Sequence, residues 1–274
     1  MLTMNGKKIG KKFGGEDDPN DMTLNRFPDG TLGIDMEKPQ GSDPMQIEWL
    51  YEGDEELFAV YALTRHLQNL GHTVNLYMPY IPNARMDRPD KEGKRVFTLK
   101  YFAEIINSLN FGKVTVLDPH STVSTALIDN LEVLDPKKYL DIVLDEIDTS
   151  NLLMYYPDEG SMKRYSKLVQ RPHAFGVKVR DFMTSKIECY CIEGEEVEGK
   201  DILIVDDICS KGGTFCYAAK QLKDCGAKHI YLYITHCENH ILNGDVLKGD
   251  LIEKVFTTNS ICTAKHERLE VIKL

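Results

Sequence analysis

No apolar run in the 274-residue chain approaches the length of a membrane span, and no apolar core follows the basic residues near its start. A membrane partner and a secretory signal are therefore not expected, and the cytosol is the default compartment. A disulfide framework is missing too: the seven cysteines are odd in number and lack zinc-type pair spacing, so they read as reduced thiols. Cys189 and Cys191 alternate on one face of an extended run, which reads as packing. There is no surplus of positive charge either. The 33 lysines and arginines stand against 43 acids, a formal net charge of −10, which argues against a protein that coats nucleic acid. Local basic pockets on such an acidic body point to small anionic ligands. Residues 1 to 22, with KKIGKK and then EDDPND, lack a helical stripe and read as a solvated arm.

The most informative stretch is Asp201 to Tyr217, DILIVDDICSKGGTFCY. Ile202 to Val205 is an unbroken apolar run, as in a central parallel strand covered on both faces, and Asp206 and Asp207 fall at its carboxyl end, where open α/β sheets bind ligands. Ser210, Lys211, Gly212, Gly213 and Thr214 follow as a loop that can turn several N–H groups toward one anion, next to the positive end of the following helix. In that helix Phe215, Ala218, Ala219 and Leu222 make the apolar stripe, and Gly226 supplies the stop. Two acids capping a helix is the plainer reading, but paired acids repel unless a cation, hydroxyls or a base partner meets them. A ribose phosphate meets both needs: phosphate on the loop, sugar hydroxyls on the acids.

The remaining chain alternates strands and helices. Arg26 to Asp35 holds a Pro-Asp-Gly turn, read as a hairpin or strand entry. Met45 to Tyr51 reads as a strand, Glu55 to Leu70 as an amphipathic helix with Leu57, Val60, Leu63, Leu67 and Leu70 inward, and Val74 to Tyr80 as a strand. A polar segment with Arg85, Arg88, Lys91, Lys94 and Arg95 comes next and suits phosphate. Phe97 to Leu109 is a helix and Lys113 to Leu117 a strand that ends at Asp118, Pro119 and His120; an acid two residues from a histidine leaves a metal role and a plain hydrogen-bonding role both open. Asp135 caps a helix running to Ile147, with Pro136 at its first position. Strands are expected at Asn151 to Tyr156, Phe175 to Arg180, Ile187 to Ile192 and Ile230 to Thr235, and a helix at Lys163 to Val169. The order predicts an α/β protein with a boundary near residue 148, giving domains 1–148 and 149–274.

Taken in order, the motifs resemble those of the ribose-phosphate pyrophosphokinase family, which has the type I phosphoribosyltransferase fold. The likeness runs from about Arg26 to Ile261. RFPDGT resembles the family's adenine-binding FxDGE turn, with Thr31 where an acid is usual. PYIPNARMDR resembles its PYxxYARQDR nucleotide segment, with Asn83 and Met86 as departures. DPH resembles the DxH metal motif, PDEGSMKR resembles PDxGGxxR with Ser161 for a glycine, and KVR resembles the Lys-x-Arg of the catalytic loop. VDDICSKGGT closes the series. A first strand and helix and a terminal helix are not apparent, so the chain reads as a divergent, shortened member.

The resemblance implies two stacked phosphoribosyltransferase-like domains, each a mostly parallel sheet flanked by helices, in a homo-oligomer. It implies Lys178 and Arg180 as catalytic, and Phe27, Asp29, Arg85, Asp87 and Arg88 as ATP-binding. His120 and Asp158 are implied as ligands of Mg²⁺, with Arg164 nearby. Asp206, Asp207, Ser210, Lys211, Gly212, Gly213 and Thr214 are implied as the ribose-phosphate site. The implied reaction moves the β,γ-diphosphoryl group of ATP to the anomeric hydroxyl of ribose 5-phosphate. ADP-ribose is an alternative acceptor, in NAD salvage, because Lys211 offers a cation to a second phosphate. A phosphoribosyltransferase and a non-catalytic regulatory protein of the same family are further alternatives; an intact Lys178, Arg180, His120 and acid pair argues against the last.

Overall fold

The computed structural model describes residues 1–12, 22–36, 43–90, 92–147, 149–180 and 187–274; the side chains of residues 11–12, 178–180 and 187–190 fall outside that description. Lys91 and the central part of the expected arm, residues 13–21, therefore lie outside the described residues. The chain divides into two compact units, Met1–Leu134 and Asp135–Leu274. The division falls before the Asp135 helix rather than near residue 148, so that helix belongs to the second unit.

In the first unit, β1 (Leu2–Met4), β2 (Lys7–Lys8), β3 (Gly10–Lys12), β4 (Met22–Arg26), β5 (Leu32–Met36) and β6 (Met45–Trp49) precede α1 (Glu55–Asn69), β7 (Val74–Tyr77), α2 (Thr98–Ser108), β8 (Val114–Leu117), α3 (Thr122–Leu127) and β9 (Leu131–Leu134). The main sheet has the order β2-β1-β6-β7-β8-β9 and is parallel from β6 to β9. A small sheet, β3-β4-β5, carries the Arg26 to Asp35 hairpin. The solvated-arm reading is corrected for residues 1–12. β1 pairs antiparallel with β6, and Leu2 and Ile9 are buried, so the segment closes a sheet edge that would otherwise stay open. In α1 the inward stripe is Ala59, Val60, Leu63 and Leu67; Leu70 lies past the last turn and is exposed. The short elements α3 and β9 were not anticipated.

The second unit holds α4 (Lys137–Ile147), β10 (Leu152–Tyr156), α5 (Glu159–Tyr165), β11 (His173–Arg180), β12 (Ile187–Gly194), β13 (Asp201–Cys209), α6 (Gly213–Asp224), β14 (Ile230–Cys237), α7 (Asp245–Lys248), β15 (Lys254–Thr258) and β16 (Leu269–Ile272). Its sheet runs β12-β11-β10-β13-β14-β15-β16 and is parallel except for the edge strand β12. β13 is the central strand: Ile202 to Val205 are fully buried, as an apolar run covered on both faces requires. The strand continues through the acid pair to Cys209, since parallel pairing with β14 holds to Cys237. The helix expected at Lys163 to Val169 instead starts at Glu159. Asp158 and Ser161 form a capping box, in which Ser161 N–H donates to the Asp158 carboxylate at 3.0 Å. Cys191 is exposed on the edge strand, so the packing reading does not hold for it. Both units are thus α/β, with mostly parallel sheets flanked by helices. Among the described residues no helix is long and apolar enough to cross a membrane.

Candidate active site

In the second unit the carboxyl ends of β10 and β13 face one another as neighbours in the sheet, and the acids gather there. Asp207 is 4% exposed and receives Arg164 Nη1 at 3.1 Å, from the second turn of α5. Asp206 accepts from the Asp207 N–H at 3.0 Å. Burial, then the charge of Asp207 and more weakly that of Asp158, holds the Asp206 carboxyl well above the usual carboxylate range. The two acids are therefore unequal: Asp207 shares an ion pair, while Asp206 resists ionisation until hydroxyl donors or a cation arrive.

The loop after β13 is built to stay open. Gly212 caps α6 with a φ of +80°, and a Cβ there would meet Val246 Cγ2 at 2.1 Å. Gly244, just before α7, sits against the Lys211 carbonyl, so the loop is braced from beneath by the segment that follows β14. Gly213 is the opposite case, with nothing within 4 Å of an added Cβ. Phe215 N–H and Cys216 N–H both donate to the Gly212 carbonyl at 3.0 Å, which leaves the N–H groups of Gly213 and Thr214 as the ones a helix start offers to an anion. Ser210 is half-buried; Lys211 and Thr214 are exposed at the rim. The buried stripe of α6 is Phe215, Ala218, Ala219 and Leu222, as its periodicity predicts.

The other expected site residues lie in the first unit or outside the description. Phe27, 57% exposed, stands at the hairpin tip, where the turn is closed by Gly30 N–H to the Phe27 carbonyl at 2.8 Å. Asp29 accepts from Thr31 Oγ1 at 2.7 Å and Thr31 N at 3.0 Å, bonds that draw its carboxyl below the usual range. Thr31, which stands where an acid is usual, thus occupies the Asp29 carboxylate. Arg85 and Arg88 are exposed past the end of β7. Asp87 lies between Arg88, at 3.6 Å, and the Ser121 hydroxyl, which donates to it at 2.7 Å. Ser121 also caps α3 directly after His120, so it ties the Arg85 to Arg88 segment to the DPH turn, where Asp118 is held at a φ of +41°. Ser121 was not singled out in the sequence, although a serine before a short apolar-periodic run is an N-cap signal. Lys178 and Arg180 lie near the end of β11, paired with Tyr190 and Ile187, but their side chains are outside the description.

A phosphoribosyl transferase domain matches residues 169–257, which span β11, β13, the loop and α6. Over most of its length the chain is similar to the ribose-phosphate pyrophosphokinase of Vibrio cholerae, with 26% identity over 258 residues, covering 90% of this chain and 80% of the relative. The enzyme of the same name from Sulfolobus acidocaldarius is 25% identical over 248 residues, covering 86% and 82%. Across most of its length, then, the chain is similar to ribose-phosphate pyrophosphokinases. The phosphoribosylpyrophosphate synthetase of Mycobacterium smegmatis shares the fold at 20% identity, with a TM-score of 0.72 over 92% of this chain and 85% of that one. Against the family motifs it resembles, the chain departs at Thr31, Asn83, Met86 and Ser161. Two of these departures have a visible effect: Thr31 and Ser161 each hydrogen-bond the motif aspartate beside them.

Proposed function

We propose that the protein is a ribose-phosphate diphosphokinase, which makes phosphoribosyl pyrophosphate and AMP from ATP and ribose 5-phosphate. The observation that carries this reading is the arrangement at the end of β13, with an unequal acid pair next to an open glycine loop at the start of α6. The 5-phosphate rests on the N–H groups of Lys211 to Thr214, and Asp206 and Asp207 accept from the ribose hydroxyls. The anomeric hydroxyl oxygen then forms a bond to the β-phosphorus of ATP as the bridging oxygen leaves with AMP, and the hydroxyl proton passes to solvent. Such transfer depends on positioning and on cations where charge spreads. Lys178 and Arg180, near the end of β11, supply positive charge for that purpose. Phe27 stacks on adenine, Asp29 accepts from the adenine amino group, and Arg85 and Arg88 hold the phosphates, with Asp87 fixing their segment.

The motif residues proposed for magnesium are His120 and Asp158, and the ion would supply charge neutralisation on the phosphates. No group of three or more acids, histidines or cysteines among the described residues is arranged to hold a metal by itself. Magnesium asks for less, since one or two carboxylates plus substrate phosphates and water suffice. The acids of the second unit suit a cation, because Asp158 adds its charge to the crowding that raises Asp206, and a cation relieves that crowding. The test is incubation with ATP, Mg²⁺ and ribose 5-phosphate, with products resolved by mass. AMP and phosphoribosyl pyrophosphate are expected; no AMP with any ribose acceptor refutes the proposal.

A second reading, diphosphorylation of ADP-ribose, draws on one feature of the loop. Lys211 is exposed at its rim while its own carbonyl is pinned by Gly244, so the cation is presented next to the open space at Gly213. A ribose carrying a second phosphate uses that charge. Direct competition separates the two: a kcat/KM at least tenfold higher for ADP-ribose, ~1.4 kcal/mol, replaces the first reading.

A further inference from the structure

The stretch from Arg85 to Arg88 lies outside every helix and strand, so something other than a backbone ladder must hold its arginines in place. Two pins fix the segment over the end of β8. The first is main chain: Leu117 N–H donates to the Pro79 carbonyl at 3.0 Å, just past β7, and the buried Ile81 and Ala84 continue that anchorage inward. The second is a side chain. Ser121, directly after the DPH turn, donates its hydroxyl to the Asp87 carboxylate at 2.7 Å. Between the pins, Met86 N–H donates to the Asn83 carbonyl at 2.8 Å, a bond internal to the segment, and Leu99 N–H reaches the Met86 carbonyl at 3.4 Å, beyond the usual hydrogen-bond range.

The direction of the Ser121 hydroxyl is fixed from both sides. A serine has one proton to give, and Ser121 gives it to Asp87 while its oxygen accepts from Val123 N–H at 3.1 Å as the cap of α3. Its own carbonyl accepts from Ser124 N–H at 3.1 Å, and Ser124 is fully buried, so Ser121 cannot swing out with the segment. Across the bond, Asp87 is mostly buried, and Arg88 Nε stands 3.6 Å from its other oxygen, too far for a hydrogen bond. A hydroxyl-to-carboxylate bond of this length is charge-assisted, about twice as strong as a neutral one. It is what orients Asp87 and, through Asp87, the backbone between the two arginines.

We propose that Ser121 is a positioning residue for the nucleotide phosphates. It acts through Asp87 rather than on substrate: by tying the segment to the DPH turn it holds Arg85 and Arg88 ready for one triphosphate chain, so that less ordering cost falls on binding. This role rests on the proposed function, in which those arginines hold the phosphates of ATP. The main-chain pin at Pro79 survives any substitution at position 121, so removing the hydroxyl frees only the arginine-bearing half of the segment. The loss therefore falls on ATP and not on the ribose acceptor, whose loop belongs to the second unit.

Three variants separate the tie from the helix cap. Ser121→Thr keeps donor and cap; Ser121→Asp keeps a cap acceptor but has no proton to donate and sets a like charge against Asp87; Ser121→Ala loses both. Hydrogen exchange read by mass on the full chain, without substrates, should quicken at Arg85 to Arg88 in Ser121→Asp and Ser121→Ala while β6, β7 and β8 stay as in the parent, and Ser121→Thr should match the parent throughout. Initial rates should show the KM for ATP raised roughly tenfold in Ser121→Asp and Ser121→Ala, the scale of a lost bond to a charged group, with the KM for ribose 5-phosphate unchanged and Ser121→Thr restored. If Ser121→Ala does not fold, Ser121→Asp against Ser121→Thr carries the comparison. Parental exchange at Arg85 to Arg88 in Ser121→Asp overturns the proposal. So does quickened exchange with a parental KM for ATP, or an equal rise in both KM values, the mark of a merely structural role. A parent that makes no AMP refutes the proposed function instead, and exchange then decides the tie by itself.

Discussion

Replacing Gly244 by alanine sets a methyl group against main chain rather than against a side chain that can move. The backbone there, with φ −88° and ψ 164°, is one any residue adopts, so conformational strain contributes nothing. The cost is contact. The new Cβ would lie 1.9 Å from the Lys211 carbonyl oxygen and 2.7 Å from its carbonyl carbon, well short of a C···O contact near ~3.3 Å. Lys211 cannot simply retreat, because the adjoining Gly212 is already closed in by Val246. Overpacking of this kind costs ~1–3 kcal/mol. For a unit of this size that lowers the melting temperature by roughly 3–10 °C. Gly213→Ala is the control, as its Cβ meets nothing within 4 Å and it opens α6, where alanine stabilises by ~0.4–1 kcal/mol. The same chemical change should therefore act in opposite directions two strand ends apart. Thermal unfolding followed by near-ultraviolet circular dichroism reads both units, eight of the 13 tyrosines lying in the second, and Trp49 fluorescence reads the first alone, so a shift in the former without the latter belongs to the second unit. A Gly244→Ala protein within ~0.5 kcal/mol of the parent refutes the bracing of the loop, that being the range of featureless surface changes. On the proposed function, Gly213→Ala also weakens ribose 5-phosphate binding despite its added stability, which isothermal titration measures.

Asp158→Ala should lose the α5 cap and ~1 kcal/mol of stability by urea unfolding, whereas Asp158→Asn keeps the cap acceptor but removes the charge. If Asp158 holds magnesium, the asparagine variant loses Mg²⁺ affinity at near-parental stability; equal Mg²⁺ affinity removes it from the metal site. The Asp29 carboxyl, held down by Thr31, should titrate by NMR below its ordinary value near 3.8 and return toward it in Thr31→Val. Because its folded pKa is the lower one, its contribution to the turn is present above the unfolded value and fades as pH falls through the folded one. A Thr31→Val protein whose Asp29 titrates unchanged shows that the hydroxyl does not engage the acid. Lys178→Ala and Arg180→Ala should each lower kcat by roughly 10²- to 10³-fold, ~3–4 kcal/mol, with a smaller change in KM. Near-parental turnover in either variant removes that residue from catalysis.

What the sequence determined by itself was local. The apolar run of β13, the stripe of α6, its stop at Gly226 and the Pro-Asp-Gly hairpin are each set by a few neighbouring residues, through strand burial, helical period and turn chemistry. The acid pair followed by glycines was legible for the same reason, and so was the series of motifs. The tertiary structure decided whatever depends on a distant partner. Leu2 to Met4 is too short and too polar in its surroundings to read as a strand, and it becomes one because β6, far along the chain, offers an open edge. Asp87 finds Ser121, Lys211 finds Gly244, and Cys209 finds Cys237 only once the strands are laid side by side. Periodicity records which face of an element is buried, but not what lies opposite. Those meetings are fixed by sheet order and register, which arise when the whole sheet buries its faces at once.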